Sequence, residues 1–340
     1  MPASAPLPPL PDRPLSVCVV GAGAIGGTIA AKLALAAEAA CLADVSVVAR
    51  GAHLAAIQSQ GLRLTTPEGN QVVQVTATDD PDTLPPQDIV ITALKGHQVP
   101  PMAEKLGRLL APHGRILPVV NGVPWWYPIA DGSGGQKGAE EVDPGGVLWR
   151  EIGPERAIGA IAVIGATLPE PGHVEVNIDG HFDLGRLPGQ DRTDVERLAT
   201  IFDAAGLVTK QTQPFQNAIF SKLYSNCGFN SVCTLARAPM NSMLADPVLF
   251  ELTRDIVMEV AAVADAEGAE LLEDPEKRLI RAREGAAFKP STLQDLERGR
   301  PMEIEPIFGA ALAVGRSHGI ATPKLEMVTA LLRSIDRAES

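Results

Sequence analysis

The stretch LSVCVVGAGAIGGTIAAKLALAAEAA, residues 15–40, decides the fold. Leu15 to Val20 reads as a short buried strand, the glycines that follow as a turn, and Thr28 to Ala40 as a helix of strong helix formers. Gly21, Gly23 and Gly26 hold the three positions of a GxGxxG fingerprint, with Ala22, Ala24 and Ile25 between them. The first glycine allows the tight turn, the second lets backbone approach a pyrophosphate, and the third lets helix and strand pack closely. A phosphate would then sit over the helix N-terminus, where free N–H groups and the helix dipole favour negative charge. The motif alone is weak evidence, but here a strand precedes it, a helix follows and a second strand comes next, which is the context of a dinucleotide site.

That second strand, Val45 to Ala49, ends in Arg50 and not in an acid. An Asp or Glu there would bond the ribose hydroxyls of NAD, whereas an arginine pairs with the 2′-phosphate of NADP. The expected cofactor is therefore NADPH; a solvated arginine in a surface loop is the alternative. Further on, residues 71–78 read as a strand, 88–95 as a buried strand ending at Lys95, 97–110 as a helix, and 115–120 as a strand followed by Asn121 and Gly122. Lys95 and Asn121 thus fall just beyond carboxyl ends of parallel strands, where open α/β sheets bind their ligands.

Pro124, Trp125, Trp126 and Tyr127 come next, either as a wall of a binding cleft or as a hydrophobic plug; aromatic clusters more often pack. Residues 131–146 form a glycine-rich loop with no visible chemistry. Three short strand candidates, 157–167, 173–178 and 181–187, read as an antiparallel extension of the sheet, and a helix over 192–205 with a strand near Val208 closes this half.

From Phe215 strand signals vanish and apolar residues recur at helical spacing. In FQNAIFSKLYSNCGFN, residues 215–230, Lys222, Asn226 and Asn230 recur at i, i+4 and i+8, so a helix points them the same way. Ile219, Phe220, Leu223, Cys227 and Phe229 supply apolar surface that draws this helix inward. A half-buried ammonium with two amides is costly unless satisfied, and an oxygen-rich ligand would satisfy it. The bland alternative is a solvated lysine beside capping amides. Glu303 falls just ahead of a helix start, Glu305 two residues on, and Ser291 and Asp295 stand one turn apart; helix capping accounts for all four on sequence alone.

The chain has 340 residues, 45% of them hydrophobic, which fits two domains: a nucleotide-binding half over 15–208 and a helical half over 209–340, behind a disordered proline-rich lead-in at 1–14. The fold class is α/β, an N-terminal Rossmann-type parallel sheet with an antiparallel extension plus an all-α C-terminal domain. A net charge of -12 means an anionic ligand needs a local cluster of donors, and it argues against nucleic acid. No apolar run reaches about 18 residues and no secretory signal is visible, so no membrane role is expected and the location is cytoplasmic. Cys18, Cys41, Cys227 and Cys233 read as reduced core residues, and the six histidines form no ligand cluster, so no metal is expected.

With these residues assembled, the chain resembles the ketopantoate reductase (2-dehydropantoate 2-reductase) family. The resemblance runs in order through GAGAIG, VVARGAHL, ALKGHQV, VNGV, FSKLYSNCGFN and STLQDLERGRPMEIE. It implies NADPH-dependent reduction of a 2-oxo acid, foremost 2-dehydropantoate to pantoate in pantothenate biosynthesis, in a cleft between a Rossmann domain and a helical domain. It further implies that Lys222 donates the proton, that Asn226, Asn230 and Ser291 bind substrate, and that Glu303 lies beside substrate and nicotinamide ribose. Arg50, Lys95 and Asn121 match its cofactor contacts, Asn121 also lying near substrate, and Asn241 matches a further substrate asparagine with the register shifted by one. Two departures stand out: Pro124 to Tyr127 replace a second glycine, and Phe288 replaces an asparagine three residues before the serine. They leave open a reductase for a bulkier 2-oxo acid; a dinucleotide-binding sensor without catalysis is the reading from another class, opposed by the presence of both Lys222 and Glu303. The helices of the C-terminal half leave room for a homodimer without requiring one.

Overall fold

The computed structural model describes residues 7–130 and 135–339. In chain order the strands are β1 (Leu15–Val20), β2 (Leu42–Val48), β3 (Leu62–Thr66), β4 (Gly69–Val73), β5 (Thr76–Thr78), β6 (Gln87–Thr92), β7 (Leu110–Pro118), β8 (Ile129–Ala130), β9 (Gln136–Lys137), β10 (Gly159–Glu170), β11 (His173–Gly185) and β12 (Thr209–Gln211). The helices are α1 (Ala24–Leu35), α2 (Gly51–Gln60), α3 (Ala103–Leu109), α4 (Val147–Glu151), α5 (Thr193–Ala204), α6 (Gln216–Ser225), α7 (Ser231–Ala236), α8 (Met240–Ala245), α9 (Pro247–Ala266), α10 (Pro275–Glu284), α11 (Ser291–Glu297), α12 (Ala310–Ser317) and α13 (Pro323–Glu339). They cluster into two units: unit 1 runs to Val120 and includes Val147–Phe215, and unit 2 comprises Asn121–Gly146 and the chain from Gln216 onward.

Unit 1 is built on a parallel sheet in the order β5-β2-β1-β6-β7. Both faces of β1 and β6 are covered, which is why residues 17–20 and 89–91 read as unbroken apolar runs and not as alternating ones. The strand order reverses between β1 and β6, and the glycine turn sits at that switch point. There Gly21 adopts φ +98°, and a Cβ on Gly26 would lie 2.0 Å from the Gly21 carbonyl oxygen and 2.8 Å from the Ala93 Cβ. Gly27 likewise lets α1 close onto β11, since its Cβ would lie 2.7 Å from a Val174 methyl.

The second sheet of unit 1, β10-β11-β3-β4 with β12 on β11, corrects the strand reading in two places. Residues 71–78 are not one strand: β4 pairs antiparallel with β3, whereas β5 joins β2 in the parallel sheet, so the chain changes sheet at Gln74 and Val75. The two strand candidates at 173–178 and 181–187 are one continuous β11. Its pairing with β10 shifts register between Val163 and Gly165 and passes Gly180 so close to the Val163 carbonyl that a Cβ would lie 1.9 Å from it.

The lead-in is also held more firmly than its composition suggests. From residue 7 it lies on unit 1: Arg197 donates to the Pro11 and Arg13 carbonyls, Arg115 donates to the Pro8 carbonyl, and Arg13 pairs with Asp88 at 2.7 Å. Burial raises the Asp88 pKa, but bonds from Arg13, His113 and the Ser16 N–H outweigh it and bring it to about 2. Residues 1–6 of the expected disordered segment lie outside the described residues.

Unit 2 gathers α6, α8, α12 and α13 around α9. Asp246 caps α9 by accepting from the Val248 and Leu249 N–H groups, Pro247 occupies its first position, and Thr253, Ile256, Val257, Val260, Val263 and Ala264 make the buried stripe. Of the cysteines, Cys18, Cys227 and Cys233 are buried, but Cys41 is exposed: it closes the turn before β2 with φ 53° and faces outward. Among the described residues no helix is long and apolar enough to cross a membrane.

Gly26→Ala is expected to destabilise unit 1 by about 1–3 kcal/mol or more, because the added methyl meets backbone that has nowhere to move. A denaturant midpoint equal to that of the parent protein would show that the turn yields.

Candidate functional site

In unit 1 the glycine turn, the end of β2 and the chain after β6 surround a cavity of about 200 Å³, lined among others by Gly21, Gly23, Arg50, His53, Gln98 and Met102. Gly23 caps α1 and is exposed, with nothing within 4 Å of where a Cβ would stand, while α1 carries no acid in its first turn. Open space above helix N–H groups without a competing carboxylate suits a diphosphate. Ala22 is buried, and Ala24 and Ile25 are half-buried at the start of α1. Arg50 occupies the N-cap of α2; its guanidinium is exposed and lies 3.7 Å from the Met102 sulfur across the cavity. Lys95, half-buried, begins the short turn Gly96–Gln98, where its own N–H bonds the Gln98 side chain. These residues fit a dinucleotide.

His53, which the sequence reading counts only among six histidines that form no ligand cluster, stands in the first turn of α2. Its Nδ1 accepts from the Gly172 N–H at 2.8 Å, and its Nε2 lies 2.6 Å from the Ala22 carbonyl oxygen. A neutral ring with an occupied acceptor at Nδ1 must carry its proton on Nε2, which therefore donates to Ala22. Burial lowers the His53 pKa, only partly opposed by the bond to Ala22.

The remaining candidates all belong to unit 2. Lys222 is half-buried on α6, Asn226 is half-buried, and Asn230 is 5% exposed. Asn226–Asn230 is a single π-helical turn between α6 and α7, its bonds closing at i+5. On a straight α-helix at roughly 100° per residue, a position eight residues on has drifted by about 80°. A wider turn advances less per residue, so the π-turn brings Asn230 back toward the line of Lys222 and Asn226. From there the Asn230 amide donates to the Thr292 hydroxyl at 3.4 Å, which sets the start of α11 beside the π-turn. Ser291 is the first residue of α11, exposed, with Pro290 at the N-cap.

A second π-turn, Glu305–Gly309, packs against the first. Glu303 precedes it and is 9% exposed, and the Asn121 amide donates to its Oε2 at 3.2 Å. Asn121 reaches that position because Gly122, at φ +85°, lies against the second π-turn: a Cβ there would be 1.9 Å from the Pro306 carbonyl oxygen, which the Val123 N–H also bonds at 3.0 Å. Glu305, by contrast, forms a two-pronged pair with Arg333 on α13. Asn241 lies in α8, half-buried, with its Oδ1 buried and without a hydrogen-bond partner among the described residues; the Met240 N–H beside it bonds the Phe288 carbonyl at 2.8 Å. An orphaned amide oxygen of this kind is a position that a ligand or water fills.

The aromatic run resolves toward packing. Trp125, Trp126 and Tyr127 are 3%, 2% and 3% exposed; Tyr127 meets Phe220 edge to face at 5.8 Å and donates its hydroxyl to Glu267 at 2.5 Å. Burial and that bond together raise the Tyr127 pKa far above its ordinary value. Of the loop at 131–146, residues 131–134 lie outside the described set, and Gln136–Lys137 pairs with Ile129–Ala130 as a small hairpin.

A nucleotide cradle on a parallel sheet and a helical unit bearing a lysine, amides and a buried glutamate define a dinucleotide-dependent oxidoreductase. The family model described as ketopantoate reductase PanE/ApbA matches residues 17–189, and that for its C terminal matches residues 214–336. A 2-dehydropantoate 2-reductase from Mesorhizobium japonicum is 36% identical over 325 residues, covering 94% of this chain and 98% of that protein. Among solved structures, a 2-dehydropantoate 2-reductase from Geobacter metallireducens is 31% identical with a TM-score of 0.81, covering 94% of this chain and 99% of that one. A PanE/ApbA family ketopantoate reductase from Ralstonia eutropha is 26% identical with a TM-score of 0.80, covering 96% and 99%. The chain belongs to the ketopantoate reductase (2-dehydropantoate 2-reductase) family and is an oxidoreductase.

Gly122→Ala is expected to cost about 1–3 kcal/mol or more in stability and to pull Asn121 away from Glu303. Unchanged thermal unfolding together with an unchanged Asn121–Glu303 contact in a crystal structure of the variant would contradict the close approach.

Proposed function

We propose that the protein reduces a 2-oxo acid to the 2-hydroxy acid with NADPH, and that its first substrate is 2-dehydropantoate, giving pantoate for pantothenate biosynthesis. The observation that carries the reading is the set gathered in unit 2, where Lys222, Asn226 and Asn230 follow one helix and Glu303 holds the Asn121 amide. When bound, the reduced nicotinamide supplies the hydride that the ketone carbon accepts. Gly21 to Gly26 would hold the diphosphate on α1, Arg50 the 2′-phosphate, and Lys95 and Asn121 further parts of the cofactor.

As negative charge grows on the ketone oxygen, the Lys222 ammonium hydrogen-bonds it and delivers the proton that completes the hydroxyl. Asn226, Asn230, Asn241 and Ser291 hold the carboxylate and hydroxyl groups of the substrate, fixing the ketone for attack. Glu303 orients Asn121 and offsets the charge of Lys222. NADPH and not NADH follows from the cation at the tip of β2, where a carboxylate would be needed to read ribose hydroxyls.

A second reading, a bulkier and more apolar 2-oxo acid, is favoured by Phe288. Its ring is 48% exposed, three residues before Ser291, and its carbonyl is tied to the start of the helix that carries Asn241. Comparing kcat/KM for 2-dehydropantoate with that for branched and aromatic 2-oxo acids decides between the two, and negligible turnover of 2-dehydropantoate retires the first.

Lys222→Ala is expected to lower kcat by about 10²–10⁴-fold with little effect on NADPH binding. A variant that keeps the parent kcat removes Lys222 from the mechanism. Arg50→Ala is expected to weaken NADPH roughly 10–100-fold while leaving NADH within a few fold; equal weakening of both means that Arg50 does not read the 2′-phosphate.

A further inference from the structure

Resting on the dinucleotide reading of unit 1, we infer that His53 is a positioning residue for the cofactor: it fixes the Ala22–Gly23 peptide so that the Gly23 N–H faces the diphosphate.

The Ala22 carbonyl oxygen lies 2.6 Å from His53 Nε2, on the α2 side of the turn. In a trans peptide the C=O of one residue and the N–H of the next point in opposite directions. Pinning the Ala22 oxygen toward His53 therefore turns the Gly23 N–H to the opposite side, and Gly23 is the exposed N-cap of α1. Released, this peptide has little to hold it. It turns about ψ of Ala22 and φ of Gly23, and Gly23 has no Cβ to resist the rotation, with nothing within 4 Å of where one would stand. A flipped peptide would aim a carbonyl oxygen at the phosphates, replacing attraction by repulsion.

The ring is itself held from behind. Gly172 lies in the turn between β10 and β11, and its N–H donates to Nδ1 at 2.8 Å, which fixes both the ring plane and the tautomer that donates to Ala22. Gly172 stands at φ +76° with the Ala56 methyl 2.8 Å from where its own Cβ would be, so the turn is pressed against α2 and not loosely tethered to it. Both contacts of His53 thus fall within unit 1, and neither involves a reacting group.

The test is direct binding measured by calorimetry, with NADPH and with adenosine 2′-phosphate, which carries the Arg50 ligand but no diphosphate. The wild-type protein must bind NADPH for the cofactor reading to stand at all, so failure at that step is distinct from failure of this inference. His53→Ala removes both ring contacts and is expected to weaken NADPH about tenfold or more, to leave adenosine 2′-phosphate within twofold, and to raise KM for NADPH by more than it lowers kcat. His53→Gln, whose amide offers one donor and one acceptor, is expected to recover most of the NADPH affinity. The inference is overturned if His53→Ala binds NADPH like the parent, if it loses adenosine 2′-phosphate to the same extent, or if His53→Gln is no better than His53→Ala.

Discussion

Backbone laid on backbone with no side chain between is the constraint on which both halves of this molecule depend. In unit 1, Gly26 sits over the carbonyl of Gly21; in unit 2, Gly122 sits over the carbonyl of Pro306. Neither approach survives a β-carbon, which would stand 2.0 Å and 1.9 Å from the respective oxygens. The first places the N-terminus of α1 at the switch point of the sheet, where the proposed diphosphate site lies. The second carries Asn121 from the chain that leaves β7 to the carboxylate of Glu303. Two glycines far apart in sequence thus do the same work, letting chain that ends a strand touch a helix directly.

The paired π-turns have a related logic. A turn closing at i+5 is poorer in energy than one closing at i+4, and such turns persist where the displaced geometry is used. Here the first turn realigns Asn230 with Lys222 and Asn226, and the second leaves the Pro306 carbonyl to receive Val123 and the Ile307 carbonyl to receive the Cys227 thiol at 3.7 Å. Gly228, whose Cβ would lie 2.4 Å from a Val257 methyl, lets the first turn seat on α9. The misfit of each turn to an ordinary helix is therefore taken up by partners from other segments, so the arrangement is fixed by tertiary contacts and not by local propensity.

What was legible in the sequence divides along the same line. The buried strands β1 and β6, the glycine turn and the helical half carried their signals locally, in apolar runs, fingerprint spacing and a change of period. The split at Gln74 and Val75 did not, because two short strands in one polar-apolar alternation look the same whether they share a sheet or change sheets. Nor did the ordering of residues 7–14, which depends on arginines at 115 and 197 reaching back to the carbonyls of proline-rich backbone. His53 was invisible for a different reason: a lone histidine on a helix reads as ordinary until its two backbone partners, at 22 and 172, are seen to converge. The π-turns, too, have no sequence signature at the level of period; the i, i+4, i+8 spacing assumes a uniform α-helix, and the one that carries Lys222, Asn226 and Asn230 is not uniformly α.

The aromatic run shows how burial redistributes the question of substrate choice. Trp125, Trp126 and Tyr127 depart from the family pattern and first look like a wall for a larger substrate, yet all three are enclosed, and Tyr127 spends its hydroxyl on Glu267. Glu267 in turn accepts from His318, so the run is locked to the ends of α9 and α12. A residue held by edge-to-face contact and a short hydrogen bond cannot also adapt to a ligand without breaking them. Phe288 differs in each respect: its ring is half-exposed, only its backbone is tied down, and the segment carrying it leads straight into Ser291. Of the two departures, then, the bulkier one serves the core of unit 2, and the proposed reading of a bulkier oxo acid rests on the single exposed phenylalanine.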